Sequence, residues 1–282
     1  MDITYKLGSN QYFKFNPLDF ERDQDIEWDN KMFSKMFLDS IKTDQKTNNF
    51  LQNQFTNHFL QQAFVGQCNN ITELFFYFDK KILYEDDFDE LGQAISQCQN
   101  LKKLSMYSWK NYFSHTTLKN LGKGISECYH LQQVEIGFQK DYFDGGSEEV
   151  CTVLSKCQAK QISLKFSDTY FEDDKIYNLI GQELSKNQQI KNLSLEFSSY
   201  LIDNQVAQSF SEELAKFRIF QLGIDLYNNN LSEEDMQLIC VNIKKIKSLN
   251  TLSFKYEEKD ILLQINFAQF LKRKLNRLVN FQ

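Results

Sequence analysis

The sequence has one proline, Pro17, and ten glycines in 282 residues, so the usual punctuation between separate domains is missing after residue 70. Long basic runs are absent too. With 32 cations against 38 anions, net −6, the chain lacks what a nucleic-acid binder needs to displace phosphate counterions. No stretch nears the roughly 18 consecutive apolar residues of a membrane helix, and Met1-Asp2-Ile3-Thr4-Tyr5 lacks the basic start and apolar run of an export signal. Six cysteines are too few for a disulfide scaffold at this length. These absences predict an intracellular, cytoplasmic chain with reduced thiols, no membrane segment and no nucleic-acid partner. Apolar surface, by contrast, is plentiful: 41% of residues are hydrophobic, with 26 Phe and 13 Tyr, enough for a sizeable core.

That apolar content is periodic. The segments ITELFFYF from Ile71, LKKLSMYS from Leu101, LQQVEIGF from Leu131, AKQISLKF from Ala159, IKNLSLEF from Ile190, IFQLGIDL from Ile219 and LNTLSFKY from Leu249 superimpose without gaps. Their fourth residues, Leu74, Leu104, Val134, Ile162, Leu193, Leu222 and Leu252, follow one another at intervals of 30, 30, 28, 31, 29 and 30. Within each segment apolar residues alternate, which is the period of a strand with one buried face.

Between segments the spacing becomes helical. Leu91, Ala94, Ile95 and Cys98 precede the second strand, and Leu121, Ile125 and Cys128 the third. Ile180 and Leu184 serve the fifth, Phe210 and Leu214 the sixth, and Ile239 and Ile243 the seventh. Asp87 or Asp89, Ser147, Asp173, Asp203 and Ser232 are the expected N-caps. A strand and helix of this size cannot bury their apolar faces alone, so successive units must stack. Their strands then make a parallel sheet with the helices outside it, and the wider helices force the stack to curve with the strands innermost.

The L-x-x-L-x-L core, the helix before it and the near-30 spacing resemble leucine-rich repeats of the ribonuclease-inhibitor-like subtype, over about residues 50 to 282. The resemblance implies an α/β fold, a curved solenoid with parallel strands on the concave face and helices on the convex face. One departure stands out. Five residues after the fourth-position Leu, where that family often places a buried Asn, this chain has Asp79, Trp109, Gln139, Ser167, Ser198, Tyr227 and Glu257. The boundaries expected are an N-terminal helical cap over 1–47, an array of about seven units over 48–258 and a C-terminal capping helix over 259–282. The cap reading rests on Phe33, Met36, Phe37 and Ile41, and a first repeat helix over 48–65 on Leu51, Phe55, Phe59 and Ala63. The last helix rests on Ile261, Ile265, Ala268, Leu271, Leu275 and Leu278.

Catalytic and metal readings are weak. Cys68, Cys98, Cys128 and Cys157 repeat once per unit, so they line up in a row and cannot converge on a zinc tetrahedron. Packing at the helix-to-strand turn suits them better. His58, His115 and His130 lack ligand spacing, and the adjacent Cys128 and His130 have nothing to orient the ring. The acidic groups at Asp86, Asp173 and Glu233 fall at helix starts, where the dipole favours them. Gly145-Gly146-Ser147 lacks the lysine of a phosphate loop. No metal, cofactor, small-molecule substrate or enzymatic activity is expected.

The remaining candidate is the strand surface. Alternation turns the third, fifth and seventh positions of each unit outward. The fifth is mostly small: Phe75, Ser105, Glu135, Ser163, Ser194, Gly223 and Ser253. Around it Glu73, Phe75, Tyr77, Lys103, Tyr107, Glu135, Lys165, Glu196, Asp225 and Lys255 are the candidate partner-binding residues. The expected function is a non-catalytic protein–protein interaction module, or a scaffold subunit of a larger assembly, holding a protein partner on the concave face or an edge. Two alternatives remain open. Asn16-Pro17-Leu18-Asp19 with the Phe33–Ile41 segment resembles the start of an F-box, implying a ubiquitin-ligase substrate receptor. Similar repeats accompany signalling kinases, implying a regulatory partner. The Asn-, Gln- and Lys-rich composition resembles that of AT-biased protists such as ciliates, where such repeats occur in large assemblies including cilia.

Overall fold

The computed structural model describes residues 2–7, 11–15, 71–79, 85–144, 147–171, 176–198, 204–229, 231–256 and 280–281. The chain opens with β1 (Asp2–Leu7) and β2 (Gln11–Phe15), followed after the undescribed stretch by β3 (Ile71–Asp79) and α1 (Glu85–Gln97). Three units of longer form come next. They comprise β4 (Lys103–Trp109), β5 (Tyr112–Ser114) and α2 (His115–Ser126); β6 (Gln133–Gln139), β7 (Tyr142–Asp144) and α3 (Ser147–Lys156); and β8 (Gln161–Ser167), β9 (Tyr170–Phe171) and α4 (Ile176–Lys186). Then follow β10 (Asn192–Ser198), α5 (Asn204–Leu214), β11 (Gln221–Leu226), α6 (Glu233–Ile243), β12 (Thr251–Tyr256) and β13 (Asn280–Phe281).

All seven alternating segments are strands, and neighbours pair in parallel through β3-β4-β6-β8-β10-β11-β12. Leu74, Leu104, Val134, Ile162, Leu193, Leu222 and Leu252 stand opposite one another in an unbroken row, and each is buried. Burying each such side chain is worth about 1.5–3 kcal/mol. The helix residues foreseen from spacing, from Leu91 and Ile95 to Ile239 and Ile243, line the other wall of the same core. Four positions beyond the key residue, Phe138, Phe166 and Phe197 stack at 5.5 and 5.8 Å between ring centres. The helices lie very close in places: a Cβ on Gly124 would come 2.0 Å from the Gly92 carbonyl oxygen. The result is an α/β architecture of repeated strand–helix units. Among the described residues, no helix is long and apolar enough to cross a membrane.

The turns after β4, β6, β8 and β11 carry a largely buried polar row, two residues beyond the place where the leucine-rich-repeat pattern has its Asn. Lys110, Lys140, Asp168 and Asn228 take φ of 55°, 55°, 50° and 61°, a left-handed step that turns the chain away from the sheet. The next residues, Asn111, Asp141, Thr169 and Asn229, occupy equivalent places in their units. Thr169 Oγ1 donates to the Phe138 carbonyl at 3.0 Å and Asn229 Nδ2 to the Phe197 carbonyl at 2.6 Å, each reaching back one unit. Asp141 accepts from the Asn111 N–H at 2.6 Å, the Ser108 hydroxyl at 3.0 Å and the Gln139 N–H at 2.9 Å. Burial pushes its carboxyl up to about 6, although these hydrogen bonds act in the opposite direction.

Some local expectations change. Ser232 caps α6 with a full capping box to Asp235, as its position predicts. Asp87 and Asp89 are not caps; they lie inside α1, which begins at Glu85. Ser114, not foreseen, caps α2 by accepting from the Thr117 N–H. Ser147 is the first residue of α3 rather than its cap. Asp173, Asp203, Asn16–Asp19, the helices expected around 33–41 and 48–65, and Cys68 lie outside the described residues.

The chain termini also differ from the purely helical caps expected. β1 and β2 form an antiparallel hairpin whose first strand pairs with β3, placing Ile3 opposite Phe76 and Tyr5 opposite Leu74. Alternation in Ile3-x-Tyr5-x-Leu7 and Phe13-x-Phe15 carries the strand period that a helical reading overlooks. At the other end Asn280 and Phe281 pair in parallel with Thr251 and Leu252. Phe281 thus takes the register of the key Leu one unit on. The helix expected before it, over residues 261–278, falls outside the described residues.

Candidate functional site

Because the fourth, sixth and eighth positions enter the core, the third, fifth and seventh line the opposite face of the sheet. The register places Glu73 beside Lys103, and aligns Tyr77, Tyr107, Gly137, Lys165, Glu196, Asp225 and Lys255 in one row. For Tyr77 only this backbone position is described. All ten candidate residues therefore share one face, spread across seven strands.

Tyr107 is where they converge. Its ring centre lies 5.6 Å from that of Phe75, and the Lys165 ammonium sits 5.5 Å from it on the other side. Lys165 also pairs with Glu135 at 2.8 Å. Burial, with the hydrogen bond and negative charge of Glu135, pushes the Tyr107 phenol up to about 12. Burial alone would raise the Glu135 carboxyl, yet hydrogen bonds from Lys165 and Tyr107 hold it below its ordinary value. Likewise Lys165 keeps its proton more firmly than usual, because Glu135 outweighs desolvation. At neutral pH the cluster is a neutral phenol, a carboxylate and an ammonium, locked in place.

Two features make this arrangement possible. Gly137 lies under the ring: a Cβ there would stand 2.6 Å from Tyr107 Cδ1. Ser105, between Phe75 and Glu135 in register, is small and buried. Farther along, Lys255 approaches Asp225 at 3.4 Å, but it is well exposed, so the pair adds little stability.

Sequence reasoning missed Trp109 on this face. It continues the alternation of β4 two residues beyond Tyr107, and Lys110 Nζ lies 4.6 Å from its ring. The signal was present, but the position had been compared with a loop asparagine and so was not read as strand surface. Also missed was the three-stranded sheet β5-β7-β9. There Tyr112, Tyr142 and Tyr170 stack at 5.3 and 5.0 Å and remain exposed, while Phe113 and Phe143 turn into the core.

The cysteine row serves packing and hydrogen bonding. Cys128 Sγ donates to the Ile95 carbonyl at 3.2 Å in the preceding unit, and Cys157 Sγ donates to the Leu154 carbonyl at 3.3 Å. In the next unit Asn187 takes the position, donating to the Leu154 and Cys157 carbonyls at 2.9 Å each. Burial pushes the Cys128 thiol up to about 12 and raises Cys151, Cys157 and Cys240 as well, so these are protonated thiols and not thiolates. His115 Nδ1 lies 2.8 Å from Glu149 Oε1, whereas His130 is exposed near a turn. Among the described residues no three His, Cys, Asp or Glu side chains gather as a metal site would require.

No protein-family model matches the chain, and no curated protein matches it significantly.

Proposed function

We propose that the chain is a curved, leucine-rich-repeat-like solenoid acting as a non-catalytic protein-interaction module, within a larger assembly, with a partner on its concave sheet face. The helices are wider than the strands, so stacking the units bends the sheet inward. The observation that carries the reading is the Phe75–Tyr107 ring contact beside the Glu135–Lys165 pair, with Trp109 on the same face of β4. Large aromatic rings held in fixed positions on an accessible face are the usual anchors of protein recognition, because little side-chain entropy is lost on binding. The buried, protonated thiols favour this over nucleophilic chemistry.

The test is quantitative capture from native extract with the wild-type chain and with Tyr107→Ala and Trp109→Ala. Both variants are expected to stay folded, with the circular dichroism of the wild type, and to lose the same captured proteins. Capture unchanged by either substitution would refute the reading.

A further inference from the structure

Aromatic and acidic character sit at different places on the sheet face. Phe75 packs on Tyr107, and Trp109 stands on the same face two residues along β4. Glu196 stands in the row of Tyr107 on β10, three strand spacings or about 14 Å away. Its neighbours in the row are already engaged. Lys165 is held by Glu135 at 2.8 Å, and Asp225 by Lys255 at 3.4 Å and by the Tyr227 N–H, which donates at 3.0 Å. Among the described residues Glu196 makes no ion pair, although its charge acts on Lys165 across the strand. With Glu135 counted from the adjacent fifth-position row, the carboxylates of Glu135, Glu196 and Asp225 face the two lysines Lys165 and Lys255, an excess of one negative charge. Glu73 opposite Lys103 adds nothing net to the face.

The dimensions of the face narrow the choice of occupant. The third and seventh positions flank the fifth at a separation of about 13 Å, four residues of strand rise. From Ser163 through Ser194 and Gly223 to Ser253 the fifth position is small. An α-helix, about 10–12 Å across with its side chains, fills that width; an extended strand does not reach both flanks. The chain's net charge of −6 adds long-range attraction for a basic segment.

We propose that the partner presents an amphipathic helix bearing an apolar residue and, two to three turns away, a lysine or arginine. The apolar residue packs on Phe75, Tyr107 and Trp109, and the cation pairs with Glu196. This rests on the reading that the sheet face binds a protein, and adds the shape and charge of what binds.

A photoreactive benzoylphenylalanine in place of the exposed Ser194, in the full chain, tests it. After irradiation in native extract the cross-linked peptide is sequenced. The expected peptide has helical apolar spacing with Lys or Arg two to three turns from a large apolar residue. In separate captures Glu196→Lys should cut recovery of that protein about tenfold, and Glu196→Gln less, as loss of one charge-complementary contact predicts. An acidic or non-helical peptide, or recovery unaffected by Glu196→Lys, overturns the proposal. If Tyr107→Ala abolishes recovery while Glu196→Lys does not, the basic helix is wrong and the binding face stands. If neither variant matters, both are wrong.

Discussion

The Tyr107 ring lies across the backbone of Gly137, close enough that a methyl group there would stand 2.6 Å from Tyr107 Cδ1. The two residues are strand neighbours in register, so the glycine on β6 decides where the ring on β4 rests. Gly137→Ala should destabilise the chain by about 1–3 kcal/mol through overpacking. The same substitution in a Tyr107→Ala background should cost much less, because the obstructing ring is gone. Denaturant melts of the four proteins in this cycle measure the coupling; equal costs in both backgrounds would show that the ring does not rest there.

Asp141 makes stability depend on pH in a particular direction. Its carboxyl holds a proton more tightly when folded, at about 6, than at the ordinary 3.8, so ionisation opposes folding. Its contribution to stability therefore falls as pH rises from about 4 to about 6 and is level above that. Asp141→Asn should remove that component of the pH profile. It should also cost about 1–3 kcal/mol, since an amide presents its NH2 group to the Asn111 or Gln139 N–H, both donors. Urea midpoints of wild type and variant between pH 4 and 7 isolate the difference; parallel profiles would contradict the assignment.

At Asn187 the row of cysteines changes chemistry while keeping its task. Asn187→Ala leaves the Leu154 and Cys157 carbonyls without these donors and should cost about 1–3 kcal/mol. Asn187→Cys should cost less, because a thiol at this place reaches a helix carbonyl in the units of Cys128 and Cys157. Thermal melts rank the three proteins; Cys no better than Ala would mean that the position is not interchangeable.

Leu195 is wholly buried on β10. Leu195→Ala should cost about 2–5 kcal/mol through lost burial and the cavity left behind, and Leu195→Asp should unfold the array by burying a charge without a partner. Circular dichroism reads both. A native-like melt for the aspartate variant would mean that the inward face has been assigned wrongly.

The strand register was legible because each of the seven key residues, from Leu74 to Leu252, repeats within a residue or two of thirty, and a slip would turn Leu195 or Ile224 outward. Helix faces followed from pairs such as Ile239 and Ile243. The buried polar row was harder to see. Asn111, Asp141, Thr169 and Asn229 share a place but not a side chain, and the left-handed residue before each is Lys, Asp or Asn rather than a revealing glycine. Trp109 was hidden by the same misplaced comparison. The Tyr107 cluster was legible only as a set of names: alternation put Tyr107, Glu135 and Lys165 on one face, but their convergence depends on a ring folding over Gly137, which no period encodes.

Cys98, Cys128, Cys151, Cys157 and Cys240 are all buried thiols, distributed over four of the units. An alkylating reagent can reach each sulfur only when its surroundings part. The molecule thus contains its own set of local timers. Mass spectrometry of the rate at which each one is modified would chart the order in which the stack frays, without any label being introduced.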